Sequence, residues 1–138
     1  MILLDAGGLF AALNEREPSH PAAKDVLARD PGPFVLSPFV LAELDYLIAT
    51  RVGVATELDV LGDVASGAYR LEPFDSDDVA RAAAVVGKYR DLDIGLADAS
   101  IVVLAERYET NRVLTLDERH FRALRIGRRR FVVLPADA

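Results

Sequence analysis

Four carboxylates stand out by their surroundings: Asp5, Glu43, Asp98 and Asp117. Asp5 closes the apolar run Ile2-Leu3-Leu4, and Glu43 lies between Val40-Leu41-Ala42 and Leu44. Asp98 sits among Leu96, Ala97, Ala99, Ile101, Val102 and Val103, and Asp117 stands just past Val113-Leu114-Thr115. An acid in such a frame needs a partner, because burying a bare charge is expensive. Gathered in one small space, four acids repel one another and stay ionised only with a compensating cation. Oxygen donors suit hard divalent ions such as Mg²⁺ or Mn²⁺. An ion so held can activate water and steady the charge that grows on a phosphate during in-line displacement.

Each acid also has a purely structural reading. Asp5 could cap the helix after its strand, and Asp117 could cap Glu118–Leu124. Glu43 could pair with Arg51, and Asp98 in a first helical turn would favour the helix dipole. Thr115, two positions before Asp117, could hydrogen-bond a ligated water or carboxylate from an outer shell. Asp93 is a loop acid near Asp98, and Arg119 and Arg122 flank Asp117 within reach of a phosphate. Ser37 reads as a helix cap, and the tyrosines as packing. His20 and His120 read as surface or helix-end residues.

Composition narrows the chemistry. The chain has 138 residues, 51% of them hydrophobic, which fits one domain over 1–138 with a proper core. Cysteine is absent, so disulfides and thiolate metal sites are excluded. With only two histidines, a zinc site of the usual nitrogen and sulfur kind is not expected, and any metal site should be built from oxygen. There is no GxxxxGK[ST] phosphate loop, no GxGxxG after the first strand and no GxSxG elbow. No apolar run approaches the roughly 20 residues of a membrane span, and the start does not read as a signal peptide. A cytoplasmic protein is the expectation.

Net charge is −6, unevenly distributed. Residues 1–106 hold 8 bases and 18 acids, whereas 107–138 hold 8 bases, all arginine, and 4 acids. The overall acidity argues against broad non-specific nucleic-acid binding, yet leaves room for a basic rim around an acidic site.

The elements that must position these groups alternate. Short apolar strands are expected at Ile2–Leu4, Phe34–Leu36, Ala68–Glu72, Val113–Thr115 and Phe131–Leu134. Between them lie helices at Leu9–Asn14, after Ser19 to about Arg29, Phe39–Arg51, about Ala55–Ala65, and from Asp75 or Ser76 to about Arg90. Further helices are expected at Leu96–Tyr108 and Glu118–Leu124, with Gly7-Gly8 as a turn. The pattern predicts an α/β fold, a parallel sheet covered on both faces, with the ligand site beyond the carboxyl ends of the strands. All four acids fall near that edge.

The segments Met1–Asp5, Ser37-Pro38-Phe39-Val40-Leu41-Ala42-Glu43-Leu44, Gly95-Leu96-Ala97-Asp98-Ala99-Ser100 and Leu114-Thr115-Leu116-Asp117 resemble the PIN-domain ribonucleases. Size, order and spacing are similar to the VapC-type toxins of bacterial toxin–antitoxin pairs, over essentially the whole chain. The resemblance implies a three-layer α/β/α sandwich with a central, mostly parallel sheet and Mg²⁺- or Mn²⁺-dependent endoribonuclease activity on structured RNA, chiefly tRNA or ribosomal RNA. It implies Asp5, Glu43, Asp98 and Asp117 as catalytic, metal-binding acids. Thr115 matches the family's usual hydroxyl residue, and Asp93 matches an acid of some members. Ala6 departs from the polar residue that often follows the first acid. A homodimer and a VapB-type antitoxin partner are also implied. The alternatives are a non-catalytic PIN-like module that binds RNA or protein, and a metal-dependent phosphatase or DNA nuclease.

Overall fold

The computed structural model describes residues 1–138. In chain order the elements are β1 (Ile2–Leu4), α1 (Ala6–Leu13), α2 (His20–Arg29), β2 (Phe34–Leu36), α3 (Pro38–Arg51), α4 (Val54–Ala65) and β3 (Arg70–Leu71). They continue with α5 (Ser76–Lys88), α6 (Leu96–Tyr108), β4 (Arg112–Leu114), α7 (Glu118–Ala123), β5 (Arg125–Ile126), β6 (Arg129–Arg130) and β7 (Val132–Leu134). A 3-10 turn at Arg90–Leu92 joins α5 to α6.

Five strands form one sheet in the order β3-β2-β1-β4-β7, and every pairing is parallel. Leu3 pairs with Val35 on one side and Val113 on the other, so β1 is central. The core is built from β1, β2, β4 and β7 with the apolar faces of α1, α3 and α6. Helix α6 is enclosed almost all round, with Ala99 to Ala105 buried, as its lack of a polar face requires. No helix is long and apolar enough to cross a membrane.

Several boundaries differ from expectation, each for a local reason. Helix α1 begins at Ala6, directly after Asp5, so Gly7 and Gly8 are helical rather than a turn. A Cβ on Gly8 would lie 2.4 Å from the Leu114 carbonyl oxygen, so α1 lies against β4 without a side chain between them. Strand β3 is only two exposed residues at the sheet edge. Ser19 stands at the cap position of α2 but makes no side-chain capping bond. Asp75 and Asp78 form a reciprocal capping box at the start of α5. The arginine-rich tail holds a hairpin that periodicity does not reveal: β5 and β6 are two residues each, joined through Gly127 at φ 60°. Such short strands leave no alternation to read.

Buried Glu72 accepts hydrogen bonds from the Tyr108 hydroxyl and from Arg107, whose guanidinium also reaches Asp78 at 2.8 Å. This network anchors the far end of α6. At its near end, Ser37 and Ser100 share a buried hydroxyl contact of 2.7 Å, which ties α6 to the start of α3.

Candidate active site

The strand ends and helix starts converge beyond the carboxyl edge of β1 and β4. Asp5 follows β1 and is buried; its Oδ1 accepts the Ala6 amide at 2.9 Å as it caps α1. Its Oδ2 accepts the Thr115 hydroxyl at 2.6 Å. The same Thr115 oxygen accepts the Asp117 amide at 3.0 Å, so one buried threonine joins both acid-bearing loops. Asp117 caps α7, accepting the His120 amide at 3.0 Å. Capping and site placement are therefore one geometry for Asp5 and Asp117, not rival explanations.

Asp98 comes from the first turn of α6, and Glu43 from the second turn of α3. Asp5, Glu43, Asp98, Asp117 and His120 line one open pocket with Ala6, Gly7, Leu47, Gly95 and Leu116. Glu43 stands on its exposed rim, and Arg51 lies over the Phe10 ring instead of pairing with it. Asp93 is exposed in the loop before α6, in a left-handed conformation at φ 58°, and does not line the pocket. Arg122 is tied to Glu118 and Asp137.

His120 is the residue that sequence reasoning misplaced. Its Nδ1 lies 2.8 Å from Asp98 Oδ2 and 2.9 Å from Asp117 Oδ2, in the middle of the pocket. One ligand atom each from Asp98, Asp117 and His120 fall within 4.8 Å of one another. A ring nitrogen thus shares the space with the carboxylate oxygens that the sequence led us to expect. The signal lay in the i, i+3 spacing from Asp117 across the first turn of a capped helix. His20 does sit at a helix start, its Nδ1 against the Ala11 carbonyl.

The electrostatics are those of crowded acids. Burial raises the Asp5 carboxyl above its ordinary range, opposed by the Thr115 and Ala6 donors, with Asp117 adding to the rise. Asp98 is pushed up to about 6, first by burial and then by the charge of Asp5, against the pull of His120. Glu43 is raised by loss of water around its carboxyl and by Asp5. A bound divalent cation would relieve this mutual repulsion, and carboxylates with one imidazole are a donor set that such an ion accepts. Asp5, Asp98, Asp117 and His120 could hold it, with Glu43 at the rim.

The family model of the PIN domain matches residues 2–126. Ribonuclease VapC26 of Mycobacterium tuberculosis is 48% identical over 135 residues, covering 97% of this chain and 100% of that protein. The crystal structure of VapC20 of Mycobacterium tuberculosis, described as a sarcin-ricin loop cleaving toxin, superposes with a TM-score of 0.81. It covers 91% of this chain and 98% of that one at 19% identity, a likeness of fold. This chain belongs to the PIN-domain family and, within it, to the VapC-type endoribonucleases.

Proposed function

We propose that this chain is the toxin of a toxin–antitoxin pair and cleaves structured RNA, tRNA or ribosomal RNA, with Mg²⁺ or Mn²⁺ held by Asp5, Asp98 and Asp117. The observation that carries the reading is the convergence of Asp5, Asp98 and Asp117, from three separate stretches of chain, on one pocket that also holds His120. A bound divalent cation supplies Lewis acidity at the scissile phosphate. Thr115 holds the Asp5 carboxylate in orientation, as outer-shell donors do. The reading assigns Glu43, on the rim with its carboxyl raised by burial and by Asp5, to take a proton from the attacking water. Asp93 does not line the pocket, and the reading gives it none of these tasks.

A VapB-type antitoxin and a second copy of the chain are the partners this reading implies. Support for such partners comes from apolar side chains left bare on α3 and α4: Tyr46 is 69% exposed, Val54 66% and Leu58 63%. Action in the cytoplasm follows from the same reading.

Purified protein free of antitoxin is expected to cut tRNA or ribosomal RNA in Mg²⁺ or Mn²⁺ and to stop on chelation. Asp5→Asn and Asp98→Asn are expected to remove cleavage. Full activity in either variant overturns the proposal.

A further inference from the structure

The eight arginines from Arg107 onward divide sharply in the fold. Arg107 is bound by Glu72 and Asp78, Arg112 by Asp30, and Arg122 by Glu118 and Asp137. The Arg125 guanidinium donates to the carbonyls of Arg122, Ala123 and Leu124, closing the last turn of α7. These four serve the architecture. Arg119, Arg128, Arg129 and Arg130 are exposed, and none has an acidic partner.

Three of the four are consecutive on the β5–β6 hairpin. Arg130 stands directly across from Arg125, whose guanidinium is turned into the α7 carbonyls, so Arg130 is left without a cross-strand partner. The hairpin is firmly held. Ile126 and Leu124 are buried, Phe131 packs edge-on against Phe121, and the Arg125 amide donates to the Tyr89 hydroxyl at 3.1 Å. That bond brings in the end of α5, where Lys88 and Arg90 add two more bases without acidic partners.

Position gives this charge its use. Helix α7 starts at the Asp117 cap and rises only about 9 Å over its six residues before the hairpin follows, and β5 packs on α6, whose first turn carries Asp98. A polyanion approaching bare carboxylates is repelled, and bases that contact its phosphates offset that repulsion. We propose that the Arg128–Arg130 hairpin, with Arg119 on α7, is the surface that docks the phosphate backbone of the RNA beside the scissile bond. This rests on the ribonuclease reading above. Arginine's planar fork matches phosphate oxygens, and a rigid hairpin presents three of them with little further ordering.

The test is fluorescence anisotropy with end-labelled total tRNA in chelator, across a salt series. The comparison is between the wild-type chain and the triple variant Arg128→Ala, Arg129→Ala, Arg130→Ala. A control carries Arg16→Ala and Lys24→Ala on the α1–α2 side. Each lost phosphate contact flattens the slope of log affinity against log salt by about 0.7–0.9. The triple variant is therefore expected to lose about 2 from that slope and about tenfold or more in affinity, with the control unchanged and Mn²⁺ binding retained. The single change Arg128→Glu at the hairpin turn is expected to weaken binding in the same direction without disturbing packing. If wild-type and triple variant bind tRNA with equal affinity and slope, the hairpin does not dock RNA, and the nuclease reading stands. If the wild-type chain binds neither total tRNA nor ribosomal RNA labelled in the same way, both fall. Arginine-dependent binding of poly-L-glutamate in place of tRNA overturns the proposal in favour of an acidic protein partner.

Discussion

The Thr115 hydroxyl donates to Asp5 Oδ2 at 2.6 Å across 110 positions of sequence, while its oxygen accepts the Asp117 amide. The first contact is buried and the second half-buried, and a hydrogen bond to a charged group such as the first contributes about 1.5–3 kcal/mol. Thr115→Val keeps the shape and removes the donor. It is expected to raise the Asp5 carboxyl further and to lower cation affinity and RNA cleavage about 10–100-fold. Thr115→Ser is expected to restore most of both, measured by Mn²⁺ titration calorimetry and cleavage rate.

Asp98 carries a pH signature. Its carboxyl rises from an ordinary 3.8 to about 6 in the fold. The folded chain thus binds this proton more tightly than the unfolded one. In chelator, its contribution to stability is greatest below about pH 4 and is lost as pH rises through about 6. Asp98→Asn is therefore expected to raise the melting temperature at pH 7 in chelator while abolishing cleavage. Mn²⁺, competing with the proton, is expected to bind more weakly below about pH 6. A variant that melts lower than wild type at pH 7 contradicts this account of the site.

His120 bridges Asp98 and Asp117 through one nitrogen. Removing it by His120→Ala leaves two neighbouring carboxylates without their shared partner. Mn²⁺ affinity is expected to fall about tenfold or more, with the far-ultraviolet spectrum unchanged. Calorimetry at pH 7.5 decides; an unaltered affinity means that the imidazole neither ligates nor orients.

Gly8 sits where α1 meets the β4 backbone. A methyl group there, 2.4 Å from the Leu114 carbonyl oxygen, must push the helix outward. Gly8→Ala is expected to cost about 1–3 kcal/mol in urea unfolding. Because α1 begins at Asp5, cleavage is expected to fall beyond the loss of folded protein. Gly7→Ala, with open space around its Cβ position, is the matched control.

The parallel sheet and the four acids were legible because apolar strands buried on both faces read as continuous runs, and because each acid interrupts such a run. Asp98 within Leu96–Val103 is the plainest case. The start of α1 was not legible: Gly7-Gly8 imitates a turn, and only the nearness of Leu114, far away in sequence, explains the glycine. His120 was hidden because a polar residue on a six-residue helix has no apolar frame to mark it. Asp93 drew attention by closeness to Asp98 in sequence, but it is exposed in its loop and does not line the pocket that Asp98 lines. The division of the arginines depends on partners such as Asp137 and Glu72, which no local pattern reveals.

The sheet order makes the site late to assemble. Asp5 follows β1, yet the hydroxyl that orients its carboxylate belongs to Thr115, 110 positions further along, and reaches it only when β4 docks against β1. Until then the first acid has neither Thr115 to orient it nor Asp117 and His120 across from it. The acids can share one cation only in a chain whose sheet has closed.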